Sequence, residues 1–147
     1  MSTPVSILFV CDDNSIFSPL AAAMVRQNLE GKIKTDSCGL ITDELNPFAF
    51  GIAEEVGLSL IPYFPKTLTQ VDVRPYSLCV AFSAQAAAQA RAQYLDAGLN
   101  PVIEFWPLPN PSAVQGSRKE VLAAFRACRD ALKQRIQARF PDLWPKY

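Results

Sequence analysis

Ile7-Leu8-Phe9-Val10-Cys11-Asp12-Asp13-Asn14-Ser15-Ile16-Phe17-Ser18-Pro19 carries an apolar run into a cysteine, a short polar loop and a Ser-Pro pair. Val5–Val10 is nearly all apolar, as expected of a central strand covered on both faces. Ser18 at a cap and Pro19 at the first helical position read as a helix start. Cys11 therefore falls at the carboxyl end of a strand, in a loop where the backbone N–H groups of a helix start converge. That setting suits an anion or a thiolate.

The rest of the chain repeats the alternation. The helix from Ser18 places Leu20, Ala21, Met24, Val25 and Leu29 on one side and stops near Gly31. Ile33–Cys38 reads as a second strand, parallel to the first if the crossover is right-handed. Asn46-Pro47 opens a helix that closes at Gly57. Leu58–Arg74, with Pro62 and Pro65, reads as loop with a turn of helix. Tyr76–Phe82 is the third strand, Ala84–Asp96 an Ala- and Gln-rich helix closed by Gly98, and Pro101–Trp106 the fourth strand. A proline-rich loop, Pro107–Gly116, leads to a last helix from Ser117 to Phe140, with Ser117 and Glu120 as a capping box. Strands alternating with helices predict an α/β fold in three layers, a four-stranded parallel sheet with helices on both faces. Ligands of such sheets bind at the strands' carboxyl ends, where Cys11, Ser83 and the Pro107–Pro111 loop should gather.

Composition narrows the function. A length of 147 residues suits a single domain spanning residues 1–147 with a proper core. Lys plus Arg and Asp plus Glu number 14 each, so no charge excess points to nucleic acid or an anionic membrane as partner. No apolar run approaches the ~20 residues that span a bilayer. A basic start and signal-like apolar segment are both missing, which predicts a cytoplasmic protein. Cys11, Cys38, Cys79 and Cys128 form no CxxC pair and histidine is absent, so neither a zinc site nor any other cofactor is expected. Without histidine, catalysis would rest on Cys or carboxylates.

The loop Val10-Cys11-Asp12-Asp13-Asn14-Ser15-Ile16-Phe17-Ser18-Pro19 resembles the V-C-x-G-N-x-C-R-S-P loop of the low-molecular-weight protein tyrosine phosphatases and the related thioredoxin-coupled arsenate reductases. Ser37-Cys38-Gly39 is similar to a later S-A-G match. Asn110-Pro111 falls on the family's Asp-Pro acid loop, and Phe125-Arg126-Ala127-Cys128-Arg129-Asp130 resembles the F-R-x-x-R-D pattern of the reductase branch. The resemblance implies the phosphotyrosine protein phosphatase I-like fold. It also implies a cysteine that attacks phosphorus or arsenic, an arginine that clamps the oxyanion, and an aspartic acid that protonates the leaving group. On this chain those positions are Cys11, with Ser18 to bond its sulfur, then Phe17 and Asn110.

Phe17 offers neither the charge nor the fork of donors that an arginine brings to a dianion. Losing one oxyanion donor costs ~3–4 kcal/mol, and losing the general acid about 10²–10⁴-fold in rate. Asp13 stands where the loop glycine belongs, beside Asp12, and two carboxylates repel an incoming dianion. No nearby arginine obviously restores the lost one, with Arg118, shortly after the Asn110 loop, as the candidate, and no thiol follows the third strand to serve arsenate reduction. Cys11 reads either as a small buried residue or as a reactive thiol. Phe17, Phe48, Phe50 and Trp106 read either as core or as the lining of an apolar pocket.

The favoured expectation is a non-catalytic or very weak binding or regulatory domain. Cys11, Ser18 and Asn110 would be its vestigial or residual catalytic groups. Asp12, Asp13, Asn14, Ser15, Ile16, Phe17 and Trp106 would line the ligand site, with no metal. Its partner would be a protein or small molecule. The alternatives are an active phosphatase or arsenate reductase using Cys11 as nucleophile, and a cysteine phosphocarrier like the sugar-transport IIB domains.

Overall fold

The computed structural model describes residues 6–29, 32–60 and 64–141. Val5, Gly31 and Pro62, used above to place a strand start, a helix stop and a loop, lie outside them. Four strands, β1 (Ser6–Cys11), β2 (Lys34–Gly39), β3 (Leu78–Ala81) and β4 (Ile103–Phe105), alternate with four helices, α1 (Phe17–Asn28), α2 (Pro47–Glu54), α3 (Ala84–Asp96) and α4 (Arg118–Arg139). The strands form one wholly parallel sheet in the order β2-β1-β3-β4, as the alternation predicts.

β1 is buried along its whole length, which is why it reads as an apolar run rather than an alternation. Its side chains still divide by parity. Ile7, Phe9 and Cys11 pack with α1, α2 and α4, while Leu8 and Val10 pack with Cys38, Cys79 and the Ala86, Ala90 and Tyr94 face of α3. Cys11 thus points to the α1 side of the sheet. β1 and β3 are neighbours from which the chain moves outward in opposite directions, to β2 and to β4. The crevice at their carboxyl ends is the topological switch point where such sheets take ligands.

Local signals explain most of the boundaries. Asn46 caps α2 by accepting from the Phe48 and Ala49 N–H groups, and Ser83 caps α3 by accepting from Ala86. Ser117 and Glu120 form the reciprocal capping box of α4. Gly57 and Gly98 take positive φ, and each closes its helix with the paired bonds of a Schellman turn. Between α2 and β3 the described residues include a short turn of helix, Leu68–Gln70.

The start of α1 differs from expectation. The helix begins at Phe17, Ile16 holds the cap position without a side-chain bond, and Ser18 lies inside the first turn. Pro19 is tolerated there because the first-turn N–H groups have no intrahelical partner. The Ser18 hydroxyl is therefore not a cap and is available to the loop. Among the described residues, no helix is long and apolar enough to cross a membrane.

Candidate active site

The loop Asp12–Ile16 is shaped by one residue in a left-handed conformation, Asn14, with φ 58°. Asparagine tolerates that region better than most residues, and here its fully buried side chain is bonded at both ends. Its Nδ2 donates to Ser18 Oγ at 2.8 Å and to Ser37 Oγ at 3.2 Å, and its Oδ1 accepts from the Lys66 N–H at 3.2 Å. Gly39 lets the loop lie close to β2. A Cβ added there would sit 2.4 Å from the Ile41 carbonyl oxygen and 2.7 Å from the Asn14 nitrogen. The Ser37-Cys38-Gly39 stretch is therefore a seat for the loop.

Cys11 is buried, with Sγ 2.9 Å from Ser18 Oγ. Ser18 also accepts from Asn14 and donates to the Cys38 carbonyl at 3.3 Å. A hydroxyl has one proton to give. With that proton on the Cys38 carbonyl, the remaining bond runs from a protonated thiol to Ser18 Oγ. A thiolate would require Ser18 to turn its proton to sulfur and abandon the carbonyl. The same hydroxyl can therefore serve a neutral thiol as acceptor or a thiolate as donor, the second at the cost of the Cys38 carbonyl bond. Burial pushes its pKa up, bonds from Ser18 and the Asn14 backbone pull it down, and Asp13 adds a smaller upward push. Desolvation leads, and the Asp13 carboxylate comes last among these causes.

Above the thiol lies a cavity of ≈ 90 Å³. Phe17, Phe82 and Ile16 form its apolar wall, while Asp12, Asp13, Ser83, Asn110 and Ser112 supply polar groups. Phe17 stacks on Phe82 with ring centroids 5.5 Å apart. Asp12 Oδ1 accepts from Ser83 Oγ at 2.7 Å, and Asp13 Oδ1 accepts from Ser15 N and Oγ at 3.2 and 2.8 Å. Asp13 thereby occupies loop donors that could otherwise meet an external anion. Asn110 Oδ1 accepts from the Ser112 N–H and hydroxyl, closing the short turn Pro111–Ala113.

Of the residues proposed from sequence, Cys11, Asp12, Asp13, Ile16, Phe17 and Asn110 line the cavity. Asn14 and Ser18 are buried beneath it as its scaffold, and Ser15 bonds Asp13. Trp106 does not line it. The residue is fully buried in the core, edge-on to Phe82 and donating Nε1–H to Glu104. Arg118 does not line it either, and its guanidinium lies 5.5 Å from the Phe48 ring centroid. Phe82 and Ser112 had not been proposed as site residues, although each directly adjoins one that had, Ser83 or Pro111. Lys66 was also missed, since a backbone N–H that holds Asn14 leaves no trace in side-chain chemistry.

No other thiol among the described residues reaches the cavity. Cys38 and Cys79 pack on the opposite face of the sheet, and Cys128 lies on α4. All are unpaired, and burial pushes Cys79 and Cys128 up to about 12. Among the described residues, no group of three or more Cys, Asp or Glu is placed to hold a metal ion.

Residues 6–144 match the family model described as low molecular weight phosphotyrosine protein phosphatase. The chain is 24% identical over 131 residues to a glutaredoxin arsenate reductase from Synechocystis sp., covering 89% of this chain and 92% of that protein. It is 26% identical over 133 residues to an arsenate reductase from Bacillus subtilis, covering 89% and 91%. Among solved structures, an arsenate reductase in its phosphate-binding state superposes with a TM-score of 0.75 at 23% identity, over 94% of this chain and 98% of that one. A tyrosine phosphatase from Erwinia amylovora gives a TM-score of 0.77 at 18% identity, over 99% and 96%.

Proposed function

The chain belongs to the low molecular weight phosphotyrosine protein phosphatase family, and from that membership we propose that its Cys11 loop serves binding or regulation rather than turnover. The observation that carries this reading is Phe17. It holds the place the resemblance gives the loop arginine, it stacks on Phe82, and among the described residues no Lys or Arg lines the cavity. A phosphate or arsenate dianion would meet a phenyl ring, two carboxylates and a thiol that burial keeps neutral. Neutral thiols are poor nucleophiles. Asn110 has no carboxylic proton to give a leaving group, and its amide oxygen is engaged with Ser112.

One observation favours residual catalysis, the intact Asn14–Ser18–Cys11 scaffold. Hydrolysis of p-nitrophenyl phosphate by the wild type and by Cys11→Ser decides between the two. The binding reading expects equal background rates for the two proteins. A wild-type rate well above that of Cys11→Ser would establish a working nucleophile and overturn it.

A further inference from the structure

Resting on that reading, we propose that the cavity above Cys11 receives an organic cation, an ammonium or guanidinium group on a short alkyl stem. Its charged groups are Asp12 and Asp13 alone, and no cation among the described residues lines it or pairs with either carboxylate. The bonds from Ser83 and Ser15 all fall on the Oδ1 atoms, so a carboxylate oxygen of each residue is still open to a donor.

The remaining lining suits the same guest. Phe17, half-buried and stacked on Phe82, presents aromatic surface to the cavity, and a cation brought close to a ring face is attracted to it. Ile16 adds an aliphatic surface for a stem, and Ser112 adds a hydroxyl. The floor carries no anion-holding charge, because the buried thiol is neutral at ordinary pH. At ≈ 90 Å³ the space is far below the roughly 300–1,000 Å³ typical of drug-sized ligands. It fits a terminal head group with a few methylenes and excludes a nucleotide or a whole aromatic ester. A family loop that would cradle an anion is thus inverted in charge.

The head group could come from a free amine or from an arginine or lysine of a protein chain. A titration of the ¹⁵N-labelled full chain by heteronuclear NMR separates the sources, with agmatine, n-butylamine, n-butanol, an Arg-centred pentapeptide and inorganic phosphate as probes. Agmatine and n-butylamine should give saturable shifts confined to residues 11–18, 82–84 and 110–113, and n-butanol should not. Asp12→Asn and Asp13→Asn should each weaken binding about two- to fivefold, as loss of one exposed ion pair does. Added salt should weaken it further. Tighter binding of the peptide than of agmatine assigns the cation to a protein partner, and the reverse to a free amine, and either supports the proposal. Dispersed spectra of the two variants establish that they fold.

Absence of loop shifts with every cation overturns the proposal. So does phosphate binding more tightly than agmatine, or cation binding that both Asn variants leave unchanged. None of these depends on turnover, so the p-nitrophenyl phosphate assay tests the non-catalytic reading separately.

Discussion

Phe17 and Phe82 lie with ring centroids 5.5 Å apart and planes inclined by 22°, and Phe82 in turn contacts Phe9 at 6.1 Å and Trp106 at 6.3 Å. The wall of the cavity is therefore an outward extension of the core. Phe17→Ala removes an aromatic pair worth about 0.5–1.5 kcal/mol beyond its buried area. It should lower unfolding stability by about 1–3 kcal/mol in urea and speed iodoacetamide labelling of Cys11. Unchanged stability and labelling would mean that the ring covers nothing.

The Cys11 thiol has its pKa raised above the ordinary 9.0, chiefly by burial. A raised thiol pKa keeps sulfur protonated through neutral pH, so alkylation should climb about tenfold per pH unit from 7 to 9, following the thiolate fraction. Mass spectrometry after timed iodoacetamide exposure, with the three other cysteines as internal controls, reads this directly. Labelling that is fast and flat below pH 7 would reveal a stabilised thiolate.

Asn14 combines φ 58° with bonds to Ser18, Ser37 and the Lys66 backbone. Leaving buried partners unsatisfied costs about 1–3 kcal/mol, and an alanine in the left-handed region adds about 1–2. Asn14→Ala should therefore destabilise more than Asn14→Gly, which keeps the backbone freedom and loses only the bonds. Equal losses in urea unfolding would show that the conformation costs nothing here.

Glu55, just past α2, accepts from Arg126 and Arg129 of α4. The Arg126 bonds lead in holding its carboxyl down to about 2 from an ordinary 4.5. A folded-state pKa below the unfolded one means the ties contribute fully above about pH 4.5 and are lost as pH falls toward about 2. The carboxylate is solvent-exposed, so the effect is small. Melting temperature against pH should slope less steeply across that window in Glu55→Gln than in the wild type, and parallel slopes would refute the assignment.

Elements were legible wherever one local rule decided them. The α3 bounds follow from its Ala- and Gln-rich run and Gly98, α4 from its capping box, and β1 from its unbroken apolar run. Ser18 misled because a serine before a proline carries the same signal whether it caps a helix or bonds a thiol, and Asn14 and Cys11 made the second use decisive. Trp106 could not be placed by pattern, since an aromatic after an edge strand turns inward or outward according to packing from α4 that spacing does not encode. Phe17 and Asn110, which the resemblance sets at the arginine and acid positions, do line the cavity. The long-range ties from Gly39 and Lys66 to the loop were not legible, because they run through backbone atoms.

Rebuilding the site tests how much of the anion-binding shape survives. Phe17→Arg supplies a guanidinium, which can still lie against Phe82. Asn110→Asp supplies an acid, and its carboxylate can keep accepting from Ser112. Asp13→Gly removes a charge and frees the Ser15 N–H and hydroxyl. Its benefit is not conformational, because the left-handed residue is Asn14. Groups that act as a unit are non-additive, so single variants should stay at background while the triple variant gains p-nitrophenyl phosphate turnover that vanishes with added Cys11→Ser. The retained Asn14–Ser18–Cys11 bonds are the reason to expect recovery. A folded triple variant that remains inert, with loop amide shifts unmoved by phosphate, would mean that the backbone has left the anion-cradling shape and the site has been remodelled rather than stripped.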